Sequence, residues 1–302
     1  MSVLDSIGGT PLVLIENLNP NRKVKLFAKL EGANPGGSVK DRIALYMIRT
    51  AEAEGRLRKG RTILEATSGN TGIGLAMVGA ARGYKVKLVM PACVSMERRR
   101  TLEALGAELV ISPPEEGTDG AIRLSRKIMA ESPDTYFMPD QFNNRANILA
   151  HYETTGREII EQTGGDVTHF VAGMGTTGTV MGAGRRLKEF RGDIKVIGVE
   201  PRLGHRIQGL KNMTESIVPG IYDPRALDEK INVSDDDAFA ASRRLALEEG
   251  LFVGMSSGAA FFAALGLARR IDEGTVVVIL PDRGDRYLST SLFASVCAKC
   301  PP

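Results

Sequence analysis

Lys40 stands in Asn34-Pro-Gly-Gly-Ser-Val-Lys40-Asp-Arg42, where Pro35 and two glycines break structure and Ser38 is a good N-cap. Ile43, Ala44, Met47 and Ile48 then carry a helical apolar period, so the lysine falls in the first helical turn. The positive end of the helix dipole disfavours a cation there. A lysine so placed loses its proton more easily, as a Schiff-base or general-base amine requires. Taken alone, a solvated surface lysine paired with a nearby carboxylate is the simpler reading.

Three more loops have residue types suited to chemistry. Thr67-Ser68-Gly69-Asn70-Thr71-Gly72 clusters hydroxyls, an amide and backbone N–H groups ahead of an apolar helix, a pattern that favours holding a carboxylate over a plain N-capped turn. Gly173-Met-Gly175-Thr176-Thr177-Gly178-Thr179 matches G-x-G-x-x-G after a strand and before a helix, with Glu200 where a dinucleotide fold puts its ribose ligand. Its threonines suit a terminal phosphate monoester, whereas a pyrophosphate crossing the loop needs bare backbone. Gly254-Met-Ser256-Ser257-Gly258 reads by itself as an N-cap, although Ser256 could also bond a ring nitrogen or an anion.

Strand-like runs at 62–67, 85–91, 108–112, 168–173, 195–200 and 275–281 position these loops, with helix-like segments at 71–83, 95–106, 118–131, 147–162, 178–190, 235–249 and 257–272. The runs are apolar without alternation, so both faces must be covered, which predicts parallel sheets flanked by helices. Ligands in such folds sit where strand ends lead into helix N-termini. A domain boundary is expected near residue 144.

The 302 residues suggest one large α/β unit or two ordinary domains. Against 36 acidic residues stand 39 basic ones, without a basic stripe, which argues against nucleic-acid binding. Cys93, Cys297 and Cys300 form no disulfide framework, fitting a reducing compartment. The Cys297–Cys300 pair lacks the second pair that a zinc site needs, and His151, His169 and His205 do not cluster, so no metal is expected. No signal peptide is visible. Gly250–Ala268 is long and uncharged enough for a membrane span, but its glycines and serines make a loop followed by a buried helix the better reading. The Asp282-Arg-Gly-Asp285-Arg286 run reads as a charged surface turn.

In combination, GGSVKDR, EATSGNTGIGLA, GMGTTGT and GMSSGAA stand in the motif order of fold-type-II pyridoxal-phosphate enzymes. The chain resembles the cysteine synthases (O-acetylserine sulfhydrylases) from IGGTPLV through MERRRTLEALGAEL, DQFNN and HYETTGREI to DRYLST, and MGTTGT and PDRGDRYLS lean toward the B branch. The resemblance implies an α/β protein of two domains, each a mostly parallel twisted sheet flanked by helices, as in the tryptophan synthase β-like fold. A smaller mobile domain would span 35–144 with 1–12, a larger one 145–302 with 13–34, and pyridoxal 5′-phosphate would lie between them.

The same resemblance assigns residues. Lys40 would anchor the cofactor and move the Cα proton, Asn70 would bond its 3′-oxygen, and Ser256 would face the pyridine nitrogen. Gly175, Thr176, Thr177, Gly178 and Thr179 would hold its phosphate, while Thr67, Ser68, Gly69, Thr71 and Gln141 would hold the substrate carboxylate. It further implies L-cysteine synthesis from O-acetyl-L-serine and sulfide or thiosulfate through an α-aminoacrylate, a cytoplasmic homodimer, and no nucleic-acid or membrane partner. Binding of serine acetyltransferase stays open. Gly9 replaces the family's usual Asn, Pro281 replaces a Cys often found in the B branch, and Lys211 lies near where that branch often presents an Arg. Rival readings are an O-phosphoserine or cystathionine β-synthase-like β-replacement, a dehydratase or racemase, a silent homologue, and an NAD(P)-dependent oxidoreductase using Gly173, Gly175 and Gly178.

Overall fold

The computed structural model describes residues 2–67, 69–92 and 94–293. Two strands, β1 (Leu12–Leu14) and β2 (Val24–Leu30), precede helix α1 (Lys40–Ala53). Alternation follows through β3 (Thr62–Ala66), α2 (Asn70–Arg82), β4 (Val86–Pro91), α3 (Met96–Ala104), β5 (Glu108–Ser112), α4 (Gly117–Glu131) and β6 (Tyr136–Phe137). Then come α5 (Arg145–Ala150), a π-helical turn (His151–Thr155) and α6 (Gly156–Gln162). The chain closes with β7 (His169–Gly173), α7 (Gly178–Phe190), β8 (Lys195–Pro201), β9 (Glu229–Val233), α8 (Asp235–Glu249), α9 (Met255–Arg270) and β10 (Gly274–Leu280).

Among the described residues these strands form two sheets, β5-β4-β3-β6 and β1-β2-β10-β7-β8-β9. Every pairing is parallel except β1 with β2. The expected α/β class is therefore observed, and β10 shows why its run does not alternate. Val276, Val278 and Leu280 face α8 and α9, whereas Val277 and Ile279 face α6 and α7. Each is fully buried, and such burial contributes roughly 1.5–3 kcal/mol per aliphatic side chain. On the smaller sheet, Ile63, Leu88 and Met90 meet α1 and α2, while Leu64 and Val89 meet α4.

The sequence pattern had no signal for β1, β2, β6 or β9. β2 carries Lys25 and Lys29 within VKLFAKL, yet it lies inside the sheet between β1 and β10. Lys29 is fully buried because Glu158 pairs with its Nζ at 2.7 Å, and Thr10 O and Gln162 Oε1 accept from it at 2.6 and 2.7 Å. The single helix expected over 147–162 is interrupted by the π turn, where Gly156 N–H reaches back to His151 O. Gly250 ends α8 in the left-handed region and α9 begins at Met255, so the uncharged 250–268 stretch is a cap, a short loop and a buried helix. Among the described residues, no helix is long and apolar enough to cross a membrane.

Candidate active site

Strand ends and helix starts from both sheets meet at one cavity of about 390 Å³. The N-termini of α1, α2, α7 and α9 all point toward it, bringing Lys40, Asn70, the 175–179 loop and Ser256 to a common wall. Four helix starts present N–H groups and positive dipole ends, a setting for an anionic ligand.

Lys40 begins α1 and lines the cavity. The loop ahead of it is pinned to the end of β10, since Val39 N donates to Pro281 O at 2.9 Å and Ser38 bridges to Asp282. The cap position of α1 falls to Val39, which already has helical angles, rather than to the expected Ser38; Ser38 Oγ still accepts from Lys40 N at 3.2 Å. The Lys40 ammonium is held below the usual lysine range mainly by burial. Asp282 and Glu31 oppose that effect, and the Arg98 charge adds to it.

After β3, Thr67 Oγ1 accepts from Gly69 N at 3.0 Å and Gly72 N at 3.2 Å, folding the loop back on itself. Gly69 has φ +133°, and a Cβ there would strike the Arg98 side chain, so the turn needs glycine. Thr71 Oγ1 donates to Gln141 Oε1 at 2.6 Å, and Gln141 Nε2 donates to Ala66 O at 2.9 Å. Gln141 is aligned from behind by Glu65, which accepts from the Asp140 and Gln141 amides at 2.8 and 3.3 Å. Burial, then the neighbouring Asp140, pushes the Glu65 carboxyl up to about 8.

The loop after β7 is built for close approach. A Cβ on Gly175 would strike Gly209 O, and one on Gly178 would strike the Asn147 side chain. Thr177, at φ +68°, is a β-branched residue in the left-handed region, and its buried Oγ1 has no hydrogen-bond partner among the described residues. Ser256, also buried, lies at the start of α9 on the cavity wall.

Ten expected site residues line the cavity: Lys40, Thr67, Asn70, Thr71, Gln141, Gly175, Thr176, Thr177, Thr179 and Ser256. Gly69 and Gly178 sit just behind it and shape its loops, whereas Ser68, like Cys93, Cys297 and Cys300, lies outside the described residues. Glu200, the acid of the dinucleotide reading, is committed elsewhere: it accepts from Met213 N at 3.1 Å and pairs with Lys230 at 2.8 Å. Among the described residues, no group of acids, histidines and cysteines could hold a metal ion.

One run does not have the character its sequence suggests. Only Arg283 and Asp285 of 282–286 are exposed. Gly284–Tyr287 forms a 3₁₀ turn that sends the Arg286 and Tyr287 side chains inward and leaves Asp285 outside. Asp282 Oδ2 accepts from Asn70 Nδ2 at 2.6 Å and from Tyr287 OH at 2.7 Å, while Arg286 Nη1 donates to Asn70 Oδ1 at 2.6 Å. Arg98, buried despite the charged MERRRT run around it, lies over the Tyr287 ring, donates to its hydroxyl and stands 3.5 Å from Asp282. This network grips Asn70 at both ends of its amide. The position of Asp282 directly after an apolar strand was the available signal, because strand ends are where ligands lie.

Comparison with known proteins agrees with this geometry. Residues 3–282 match the family model described as pyridoxal-phosphate dependent enzyme. A cysteine synthase of Aquifex aeolicus is 49% identical over 301 residues, covering 97% of this chain and 92% of that protein. Cysteine synthase B of Escherichia coli K12 is 46% identical over 97% of this chain and 96% of its own length. The crystal structure of cysteine synthase from Entamoeba histolytica superposes with a TM-score of 0.91 at 40% identity, covering 97% of this chain and 90% of that one.

Proposed function

This chain belongs to the pyridoxal-phosphate dependent enzyme family, and from that premise we propose that it binds pyridoxal 5′-phosphate and makes L-cysteine from O-acetyl-L-serine and sulfide. The observation that carries the reading is the meeting, on one cavity, of a lysine that gives up its proton easily with a loop suited to a phosphate. The residues fit the group. Thr177 Oγ1 is buried without a partner among the described residues, and Thr176 and Thr179 bring further hydroxyls to the α7 N-terminus. Gly175 and Gly178 supply the space a bulkier loop would fill.

When bound, pyridoxal phosphate supplies an electron sink for the charge left at Cα as a proton departs. Lys40 Nζ would hold the cofactor's carbonyl carbon at rest and, freed as the substrate's amine takes its place there, would take the Cα proton and later return it. As the Cα proton passes to Lys40 the Cβ–oxygen bond would break to release acetate, hydrosulfide would form the new Cβ–sulfur bond, and return of the proton to Cα would give L-cysteine. Asn70 bonds the cofactor's 3′-oxygen, its orientation set by Asp282 and Arg286. Ser256 offers a neutral hydroxyl to the ring nitrogen, so nothing holds a proton there as a carboxylate would. That weaker sink favours prompt loss of the β-substituent. The Thr67–Thr71 loop, with Ser68 and Gly69, grips the substrate carboxylate through its amides, and Gln141 braces Thr71. Fixing the carboxylate supplies orientation.

Lys211 Nζ is paired with Asp119 at 2.8 Å and lies over the Phe142 ring, so its charge is already matched. That supports sulfide over the anion thiosulfate as donor. The unit of 35–144 with 1–12 closes against 145–302 with 13–34, and the working form is a cytoplasmic homodimer acting on small molecules.

The test is an absorption spectrum of the purified protein, followed by O-acetyl-L-serine without sulfide. A visible cofactor band replaced by longer-wavelength absorption supports cofactor, leaving group and substrate together. A band indifferent to O-acetyl-L-serine but responsive to O-phospho-L-serine moves the substrate assignment. No band after added pyridoxal phosphate overturns the reading.

A further inference from the structure

The Thr176 and Thr179 hydroxyls are each met from behind by a buried polar side chain that the reaction does not use. Asn147 and His151 lie four residues apart along α5 and the π turn, at 0% and 1% exposure. Helix α7 lies close against that face. A Cβ on Gly178 would strike Asn147, and one on Gly182 would strike Ile148 O and His151 Cβ. We propose that Asn147 and His151 are positioning residues that set the polarity of the phosphate loop. Each donates to a threonine oxygen, so that both threonine protons are left to be donated into the cavity. This inference rests on the reading of 175–179 as a phosphate site.

The direction of both bonds follows from accounting for donors and acceptors. Asn147 meets the backbone carbonyl of Gln141 at 2.8 Å, and a carbonyl can only accept, so the side-chain NH₂ must face it. The second hydrogen of that NH₂ then goes to Thr176 Oγ1, 3.1 Å away. His151 Nδ1 lies 2.9 Å from Thr155 Oγ1, and Nε2 lies 3.2 Å from Thr179 Oγ1. Thr155 is fully buried, and among the described residues its hydroxyl has no other partner. Its proton is satisfied only by Nδ1, which leaves Nε2 carrying the ring hydrogen and donating to Thr179. Burial, then the nearby Arg42 charge, brings the ring pKa down to about 3, so the imidazole is neutral and one nitrogen is free to accept.

A hydroxyl that accepts from behind still has its proton to give. A phosphate monoester dianion only accepts, so two threonines with their protons turned inward suit it. The same threonines with protons turned outward would repel it. Asn147 and His151 thus convert two ambivalent groups into fixed donors without adding charge.

The test has two parts. On the holoenzyme with ¹⁵N-labelled histidine, NMR reads the His151 tautomer, with hydrogen on Nε2 expected and hydrogen on Nδ1 overturning the proposal. In parallel, protein stripped of cofactor is titrated with pyridoxal phosphate and with pyridoxal, which lacks the phosphate. His151→Phe and Asn147→Leu should each weaken pyridoxal phosphate about tenfold while leaving pyridoxal unchanged. His151→Gln, which keeps a donor, should recover most of the loss. If both ligands weaken together in variants that keep their circular dichroism, the two side chains are merely structural and the proposal fails. Should the unaltered protein show no preference for pyridoxal phosphate over pyridoxal, the phosphate reading itself falls, whatever the tautomer.

Discussion

Replacing Arg42 by Leu should leave Glu31 and Glu158 without the cation they share, and pH should reveal it. Arg42 donates to Glu31 at 2.7 and 2.8 Å and to Glu158 at 2.6 and 2.8 Å. Arg42 and Glu31 side chains are both fully buried. Burial works against Glu158 ionising, yet hydrogen bonds and charge from Arg42, then Lys29, hold it at about 2. Keeping it there rather than at 4.5 is worth roughly 3 kcal/mol. Glu31 is likewise held low, against its burial, chiefly by the Arg42 charge. Removing one partner of such a buried pair costs about 3–5 kcal/mol, because the other charge is left stranded.

The sign of the pH dependence separates this account from simple loss of packing. In the unaltered protein both carboxyls have depressed folded values. Their contribution is complete above the unfolded carboxylate range and is lost as pH falls toward 2. In Arg42→Leu, the stranded Glu31 is raised above its unfolded value. The variant then regains up to about 1.4 kcal/mol per pH unit as pH falls and Glu31 takes up a proton. Glu65, at about 8, titrates in both proteins and cancels in the difference, while Asp41, at about 7 and raised in part by the Glu31 charge, shares the window with Glu31. Urea unfolding of the cofactor-free proteins at pH 6 and pH 8 provides the measurement. A difference under about 1 kcal/mol, or one equal at both pH values, would refute the reasoning.

Two further outcomes follow from the site. Lys40→Ala should lower cysteine formation by at least about a thousandfold. Its urea midpoint should be equal or higher, because a costly buried ammonium is removed; a parallel loss of stability would contradict this. Thr177→Gly should relieve the left-handed strain and raise the stability of the cofactor-free protein by about 1 kcal/mol while weakening pyridoxal phosphate. Tighter cofactor binding in that variant would contradict the role given to the Thr177 hydroxyl.

What the sequence made legible were elements whose local chemistry and final environment agree. The Thr67–Gly72 and Gly173–Thr179 loops follow apolar strands and precede apolar helices, so composition alone places them at strand ends. β2 was hidden because its buried Lys29 is neutralised by Glu158, 129 positions away in the chain, and no local window contains that partner. β6 spans only two residues, and β9 is an edge strand whose partly exposed Glu229 and Lys230 look like loop. Charge misled at 282–286 for a similar reason. Asp282 and Arg286 are buried because Asn70, more than 200 residues earlier, binds both. The π turn at 151–155 breaks no compositional rule, so the run reads as one uninterrupted helix.

The pairing of β2 with β10 joins residues 24–30 to 274–280. A ribosome adding 5–20 residues per second finishes the second strand roughly 10–50 seconds after the first. Within that interval, once Phe137 has been made, the smaller sheet, contiguous from Thr62 to Phe137, can fold, while the larger one still lacks its central strand. During translation the Lys25 and Lys29 ammonium groups give the waiting β2 a charged edge, the kind of guard that discourages pairing with foreign strands. The larger sheet is therefore completed only once β10 has been made, and with it the cavity, whose wall includes Ile279 and Pro281 from that strand and its end.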